Sequence, residues 1–234
     1  MVPRWVETAL CEKGGREDAV RRHGEGEPWE YILGEITFYG TPLRVDRRAL
    51  IPRVETELLV DRIVQKRPEG KIWDLCTGSG CIGISLQKAL PETEVILSDL
   101  SEEALSLAKE NCVLNGIETS LRLGDLFAPF QGEKTDLIVC NPPYVSRKEY
   151  VELERSVRDF EPEMALVAEE EGLLFYRRIA REAPDFLLPG GELFLEIGHG
   201  QAKDIVAIFG PPWKEQEIFF DLSGKERIFY ARLS

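Results

Sequence analysis

The chain of 234 residues has only two histidines and five cysteines. The cysteines are odd in number and form no Cys-x-x-Cys pair, which argues against both a disulfide framework and a structural zinc site. We therefore predict no metal site. Free thiols are typical of proteins in a reducing cytoplasm.

Long apolar runs and clustered basic residues are also missing. No uninterrupted apolar stretch approaches the roughly 18–20 residues that cross a membrane, and the first residues lack the basic-then-apolar layout of a signal peptide. The 42 acidic residues outnumber the 29 basic ones, which gives a formal net charge of -13. Because such a surface repels polyanions, a nucleic-acid partner is disfavoured. We predict a cytoplasmic protein that does not engage a membrane.

Strand-like and helix-like segments alternate from residue 71 onward. This alternation predicts an α/β fold with a parallel sheet covered by helices on both faces, and the two last strands, joined by a short turn, must pair antiparallel. We expect a Rossmann-like sheet of about seven strands, mainly parallel with an antiparallel last strand, preceded by a short helical lead and a β-hairpin at 35–46. The expected strands are 71–76, 94–100, 120–126, 135–140, 191–198, 216–223 and 227–234.

A glycine-rich turn follows the first of these strands. Gly78, Gly80 and Gly83 have the spacing G-x-G-x-x-G and stand before a helical segment, whose first N–H groups lack partners within the helix. Asp99 ends the next strand, 21 residues after Gly78, where a carboxylate can accept both hydroxyl hydrogens of a ribose. This combination predicts an adenosine-containing cofactor. Asp74, before the turn, favours a ligand with an ammonium group over a pyrophosphate.

The fourth strand runs directly into Asn141, Pro142, Pro143 and Tyr144. The prolines hold φ at about -65° and remove two N–H donors, so the loop is stiff and rich in acceptors. The side-chain oxygen of Asn141 and the carbonyl oxygen of Pro142 suit an –NH2 group, which has two hydrogens to donate, and Tyr144 can stack on a flat amide or base. In this topology the fourth strand ends beside the first. We therefore predict that the loop presents an amino nitrogen to the methyl group of S-adenosylmethionine (SAM).

Several segments together resemble the peptide chain release factor glutamine methyltransferases, the HemK/PrmC-like family. The matching segments are EPWEYILGEITFYG (27–40), IPRVETE (51–57), TGSG (77–80), NPPY (141–144), EPEMAL (161–166), LPGGELFLEIGHGQ (188–201) and DLSGKERIFYAR (221–232). NPPY alone is shared with enzymes that methylate amino groups of adenine. The stretch 31–57 is specific to the protein-glutamine group.

The resemblance implies a class I SAM-dependent methyltransferase that modifies the glutamine of the Gly-Gly-Gln motif in a release factor. It assigns catalysis to Asn141 and Pro142, substrate binding to residues 141–144, and a lid to Phe38 and Arg53. Asp99 would hold the ribose and Leu126 would lie at the adenine edge. With the glycine turn, the expected cofactor-binding residues are Asp74, Cys76, Thr77, Gly78, Ser79, Gly80, Asp99, Leu126 and Asn141.

The same resemblance implies a domain division, and the chain departs from the family at three points. We predict a helical N-terminal segment at 1–30, shorter than in the family, a β-hairpin linker at 31–50 and the methyltransferase domain at 51–234. Cys76 stands where the family usually has glycine, so a side chain there can narrow the cofactor pocket. Val54 stands where the family usually has a second proline.

Glu196, at a strand end near the site, is expected to accept a hydrogen bond from a neighbouring backbone N–H.

Other functions remain open at this point. The NPPY chemistry equally serves methylation of adenine or guanine amino groups in RNA or DNA, although the net charge of -13 disfavours it. A glutamine of a ribosomal protein is a second alternative target. A SAM-binding regulator without activity is a third reading, against which the intact NPPY argues.

Overall fold

The computed structural model describes residues 2–3, 6–8, 10 and 15–234, so the predicted segment 1–30 lies partly outside the described residues. Its described part contains helix α1 (Arg16–Gly24) and the start of α2 (Trp29–Leu33). Strands β1 (Glu35–Phe38) and β2 (Thr41–Arg44) then form the predicted antiparallel hairpin. The domain boundaries at 30/31 and 50/51 stay predictions.

Seven strands form the central sheet in the order β5-β4-β3-β6-β7-β9-β8. The first five of these are mutually parallel, and the last strand of the chain is antiparallel to both of its neighbours, which confirms the predicted α/β architecture. The strands are β3 (Lys71–Leu75), β4 (Glu94–Asp99), β5 (Ser120–Leu123), β6 (Thr135–Cys140), β7 (Leu187–Glu196), β8 (Trp213–Phe220) and β9 (Glu226–Leu233).

The antiparallel strand β9 does not lie at the edge of the sheet. It lies between β7 and β8, so that β8 forms the edge. The burial of the two strands gives the reason. Ile228 to Ala231 of β9 are buried, as a strand covered on both faces requires, whereas β8 is largely exposed or half-buried and ends at an exposed Phe220.

Helices cover both faces of the sheet. One face packs against α3 (Thr56–Lys66), α4 (Cys81–Ala89) and α5 (Glu102–Asn115), and the other against α8 (Leu174–Glu182) and α9 (Ala202–Ile208). Two short helices, α6 (Arg147–Tyr150) and α7 (Arg155–Arg158), follow the NPPY loop. Alternate residues of each central strand serve opposite faces: Ile72 packs in one core and Trp73 in the other. Within the described residues, no helix is long and apolar enough to span a membrane.

Helix α5 shows how local sequence sets an element that positions the site. The Ser101 hydroxyl caps the helix by accepting from the Ala104 N–H at 3.1 Å, and Glu102 and Glu103 occupy the first turn. The helix ends at Gly116, whose φ of 65° suits a left-handed cap. The helix therefore begins three residues after Asp99, close to the carboxyl end of β4.

Replacing Trp73 by alanine tests the core on the α8 and α9 face. Trp73 is fully buried and its ring stacks on Phe130 with the centroids 4.0 Å apart. We expect Trp73→Ala to lower the free energy of unfolding by about 3–5 kcal/mol, because it removes a large buried side chain and leaves a cavity. Urea denaturation followed by circular dichroism measures the loss.

The control is Val113→Ala, since Val113 is 76% exposed on α5. It should change the free energy of unfolding by less than about 0.5 kcal/mol. Equal effects of the two substitutions would contradict the placement of Trp73 in the core.

Candidate active site

One cavity lies beyond the carboxyl ends of β3, β4 and β6. Its floor comes from the turn after β3, the β4–α5 junction and the NPPY loop, and its roof from residues 48–50, 52–53, 162 and 164–165. Ligands of parallel sheets bind at this edge. The predicted site residues that line the cavity are Cys76, Thr77, Gly78, Ser79, Asp99, Leu126, Asn141 and Pro143.

The glycines of the turn meet different steric needs. Gly78 and Gly80 have φ values of 56° and 83°, in the left-handed region that glycine adopts without strain. Gly80 itself precedes α4 and does not line the cavity. A Cβ atom on Gly83 would lie 2.0 Å from the Leu97 side chain, so only glycine lets α4 pack this closely on β4.

Asp74 holds the turn from behind rather than from within the cavity. Its carboxylate is fully buried and accepts hydrogen bonds from the Thr77 hydroxyl at 2.5 Å and from the Gly83 N–H at 2.9 Å, both at Oδ2. The other oxygen, Oδ1, has no partner among the described residues. Burial raises the pKa of Asp74 to about 7. A contact of Asp74 with a ligand ammonium stays a prediction.

Asp99 lies at the open side of the same turn. Its carboxylate accepts from the Gly78 N–H at 2.8 Å and from the Ser101 N–H at 2.9 Å. Burial raises the pKa of Asp99, and the hydrogen bonds from the backbone oppose that rise. Each oxygen has a second lone pair, so the carboxylate can still accept hydroxyl hydrogens of a ribose.

Leu126 lines the cavity beyond the end of β5, next to Gly124 and Asp125. Leu126 is buried and its φ is 46°. The Asp125 carboxylate accepts two hydrogen bonds of 3.0 Å from the Arg178 guanidinium of α8. This ion pair links the residue before Leu126 to α8.

The NPPY loop is held in place from its far side. Asn141 and Pro143 line the cavity, while Pro142 is buried and Tyr144 lies behind it. The Tyr144 carbonyl accepts from the Gln201 side chain at 3.1 Å, and its hydroxyl donates to Glu196 at 3.5 Å. The loop therefore has little freedom to turn away from the cavity.

The expected partner of Glu196 is wrong. Its buried carboxylate does not accept from a backbone N–H among the described residues but from two hydroxyls, that of Thr56 at 2.6 Å and that of Tyr144. The Tyr176 hydroxyl also donates to the Glu196 carbonyl at 3.1 Å. Sequence reasoning missed Thr56 because it lies 140 positions away, on the first turn of α3.

A buried acid, Glu161, joins the two segments of the roof to each other, and it was not identified from the sequence. Glu161 accepts from the Arg53 guanidinium at 2.6 Å and from the Ile51 N–H at 3.0 Å. Arg53 lines the cavity, in agreement with a place in the lid, but Phe38 is 1% exposed and packs in the core with α3. The lid role of Phe38 is therefore wrong. Glu161 and Arg53 both belong to segments that resemble the family, and this resemblance was the signal in the sequence that could have linked the two residues to the site.

Cys76 adopts a glycine-like backbone. Its φ of 54° lies in the left-handed region, and the residue lines the cavity directly before the glycine turn. A non-glycine residue there costs about 1–2 kcal/mol of backbone strain. This explains in physical terms why glycine is expected at this position.

Solved structures of methyltransferases share this architecture. A methyltransferase from Pyrococcus furiosus aligns with a TM-score of 0.60 at 16% identity, over 82% of this chain and 89% of that chain. The T. Thermophilus 16S rRNA N2 G1207 methyltransferase aligns with a TM-score of 0.59 at 14% identity, over 86% and 50%. Residues 54–158 match the family model of the methyltransferase small domain. Fold and site thus define a methyltransferase of the class I fold.

Two relatives narrow this class. The release factor glutamine methyltransferase of Bacteroides thetaiotaomicron is 41% identical over 95% of this chain and 82% of its own length, and that of Chlamydia trachomatis is 40% identical over 90% and 74%. The chain therefore belongs to the release factor glutamine methyltransferase family. The predicted resemblance is confirmed.

Substitutions at Cys76 test the strain in the turn. We expect Cys76→Val to lower the free energy of unfolding by about 1–2 kcal/mol, because a β-branched side chain fits the left-handed region worse than cysteine does. Cys76→Gly should stay within about 1 kcal/mol of the original, since relief of strain is offset by greater freedom of the unfolded chain.

Urea denaturation of the three proteins measures these differences. If Cys76→Val were as stable as the original protein, the left-handed backbone at this position would be contradicted.

Proposed function

We propose that this chain transfers a methyl group from SAM to the side-chain amide nitrogen of the glutamine in the Gly-Gly-Gln motif of a release factor. The observation that carries the proposal is the shared cavity: the glycine turn after β3 and the NPPY loop after β6 line it together. The named activity of the relatives supports the choice of substrate.

The residues of the cavity fit SAM. The turn leaves room for a ligand to approach the backbone, the N-terminus of α4 offers N–H groups, and Asp99 keeps lone pairs for ribose hydroxyls. When bound, SAM supplies an electrophilic methyl group on a charged sulfur. We propose as its ligands Asp74, Cys76, Thr77, Gly78, Ser79, Gly80, Asp99, Leu126 and Asn141.

The NPPY loop would hold the acceptor. The Asn141 side-chain oxygen and the Pro142 carbonyl oxygen accept the two amide hydrogens, and the prolines offer no competing N–H. An amide nitrogen is a poor nucleophile because its lone pair is delocalised. Orientation of this nitrogen therefore provides most of the catalysis, and well-positioned reactants gain about 7–11 kcal/mol. The proton becomes acidic as the nitrogen gains charge, so no strong base is needed before transfer.

We propose a division of the chain into residues 1–30, 31–50 and 51–234. The hairpin belongs to the second of these segments and is hydrogen-bonded, through one side chain, to the glycine turn of the site. Asn111 of α5 is fully buried, accepts from the Arg44 N–H at 2.6 Å, and donates to the carbonyls of Arg44 and Ser79 at 3.0 and 2.9 Å. It thereby ties the hairpin to the glycine turn.

Because the proposed substrate is a translation factor, we infer a cytoplasmic location.

Replacing Asn141 tests the acceptor site. We expect Asn141→Ala to reduce kcat at least 100-fold, about 3 kcal/mol of lost transition-state stabilisation, because the amide nitrogen is no longer oriented. Mass spectrometry of the release factor after incubation with SAM measures one added methyl on the glutamine.

Asn115→Ala is the control. Asn115 is the last residue of α5, and its side chain donates a hydrogen bond to the carbonyl of Pro42 on β2. The substitution should leave methylation unchanged. Full activity of Asn141→Ala would refute the role of Asn141, and methyl transfer to RNA alone would favour base methylation instead.

Replacing Asp99 tests the cofactor site. Asp99→Asn puts an NH2 group next to the N–H groups of Gly78 or Ser101 and removes a charged acceptor. We expect the Kd for SAM to rise about 10- to 100-fold, which corresponds to the loss of one charge-assisted hydrogen bond. Isothermal titration calorimetry measures it, with the exposed Asp204→Asn as control. An unchanged Kd for Asp99→Asn would contradict the ribose assignment.

A further inference from the structure

Glu196 is a buried carboxylate beside the cavity for which the proposed reaction has no use. It ends β7, is 2% exposed, and accepts hydrogen bonds from the Thr56 hydroxyl at Oε2 and from the Tyr144 hydroxyl at Oε1, at 2.6 and 3.5 Å. These two hydroxyls come from two segments that both contribute residues to the cavity lining, the start of α3 and the NPPY loop.

The hydrogen bond to Glu196 decides what Thr56 can offer a ligand. A hydroxyl has one hydrogen and two lone pairs, and an ionised carboxylate can only accept. Thr56 lines the cavity and is 1% exposed. Because its hydroxyl hydrogen is given to Glu196, the hydroxyl keeps only lone pairs for any other partner. The Tyr144 hydrogen is directed to the same carboxylate. Pro142 and Pro143 add no N–H donor on this side.

This arrangement discriminates between an amide and a carboxylate. A glutamine amide brings two hydrogens that the Thr56 oxygen and the oxygens of the NPPY loop can accept, whereas a glutamate carboxylate brings none and lies near the buried negative charge of an ionised Glu196. We propose that Glu196 is a positioning residue that makes the site specific for an amide side chain by holding the hydroxyl hydrogens of Thr56 and Tyr144. The proposal rests on the proposed function, since it presumes that the acceptor is a side-chain amide.

The state of Glu196 depends on pH. Burial raises its pKa to about 7, Thr56, Arg227 and Tyr144 oppose the rise, and Glu55 adds to it. Below that pH the protonated carboxyl can itself donate to one hydroxyl, which frees a hydrogen toward the cavity. The titratable or charged groups that face Glu196 are Glu55 before α3, Cys81 of α4, Tyr144 after β6, Tyr176 of α8 and Arg227 of β9.

The test compares the original protein with Glu196→Gln, whose amide can donate to Thr56 or Tyr144. At saturating SAM, kcat/KM for the release factor should rise roughly tenfold from pH 6 to pH 8 in the original protein, as the ionised fraction of a group with a pKa of about 7 does. Glu196→Gln should lose this rise. Since SAM saturates both proteins, the ionisation of Asp74 affects both alike and the difference between the profiles isolates Glu196.

A second measurement uses a release factor with glutamate in place of the Gly-Gly-Gln glutamine, as a competitive inhibitor. The preference of the site for the glutamine over the glutamate protein should fall about tenfold in Glu196→Gln, the effect of one reversed hydrogen bond of about 1.4 kcal/mol. Glu192→Gln is the matched control, because Glu192 lies on the same strand and pairs with Lys66 and Tyr230. It should retain the original profile and preference.

Substitution of Thr56 provides an independent test should Glu196→Gln fail to bind SAM. Thr56→Val removes the hydroxyl at constant shape and should lower kcat/KM about tenfold, while Thr56→Ser should restore it. An unchanged pH profile and preference in Glu196→Gln, or full activity of Thr56→Val, would overturn the proposal and leave the proposed function standing if the original protein methylates glutamine. Failure of the original protein to methylate any release factor would instead remove the proposed function.

Discussion

The parallel pairing of β3 with β6 is the constraint on which the site depends. Leu75 and Cys140 are register partners in the centre of the sheet, so the next residues, Cys76 and Asn141, leave it side by side at one edge. The glycine turn and the NPPY loop therefore start from neighbouring points. The positions at which these two loops leave the sheet are fixed by the register of the central strands, by the buried aromatic core and by the helices on both faces.

Two buried carboxylates support the two loops from behind. Asp74 organises the glycine turn and Glu196 organises the NPPY loop, each by accepting hydrogen bonds where the chain leaves the sheet. Burial raises both pKa values to about 7, from ordinary values of 3.8 and 4.5. Between those ordinary values and about 7 the folded protein holds protons that the unfolded chain has released. The contribution of both groups to the free energy of unfolding therefore decreases as pH rises through that range.

The roof of the cavity is built differently from its floor. The floor follows directly from strand ends, whereas the roof depends on contacts between segments remote in sequence. Glu161 joins Ile51 and Arg53 across more than a hundred positions, and Asn111 joins the hairpin to the glycine turn. These bonds make the stretch before β3 part of the site, although it contributes no strand to the central sheet.

The sequence by itself determined the α/β class, the antiparallel last strand, the glycine turn and the NPPY loop, because each leaves a local signal of spacing, turn residues or apolar periodicity. Only the tertiary structure decided that β9 lies inside the sheet, that Phe38 belongs to the core, and that Glu196 accepts from Thr56. Those outcomes depend on which distant segments come to share a buried space. A partner 140 positions away leaves no periodicity in the sequence, so packing alone selects it.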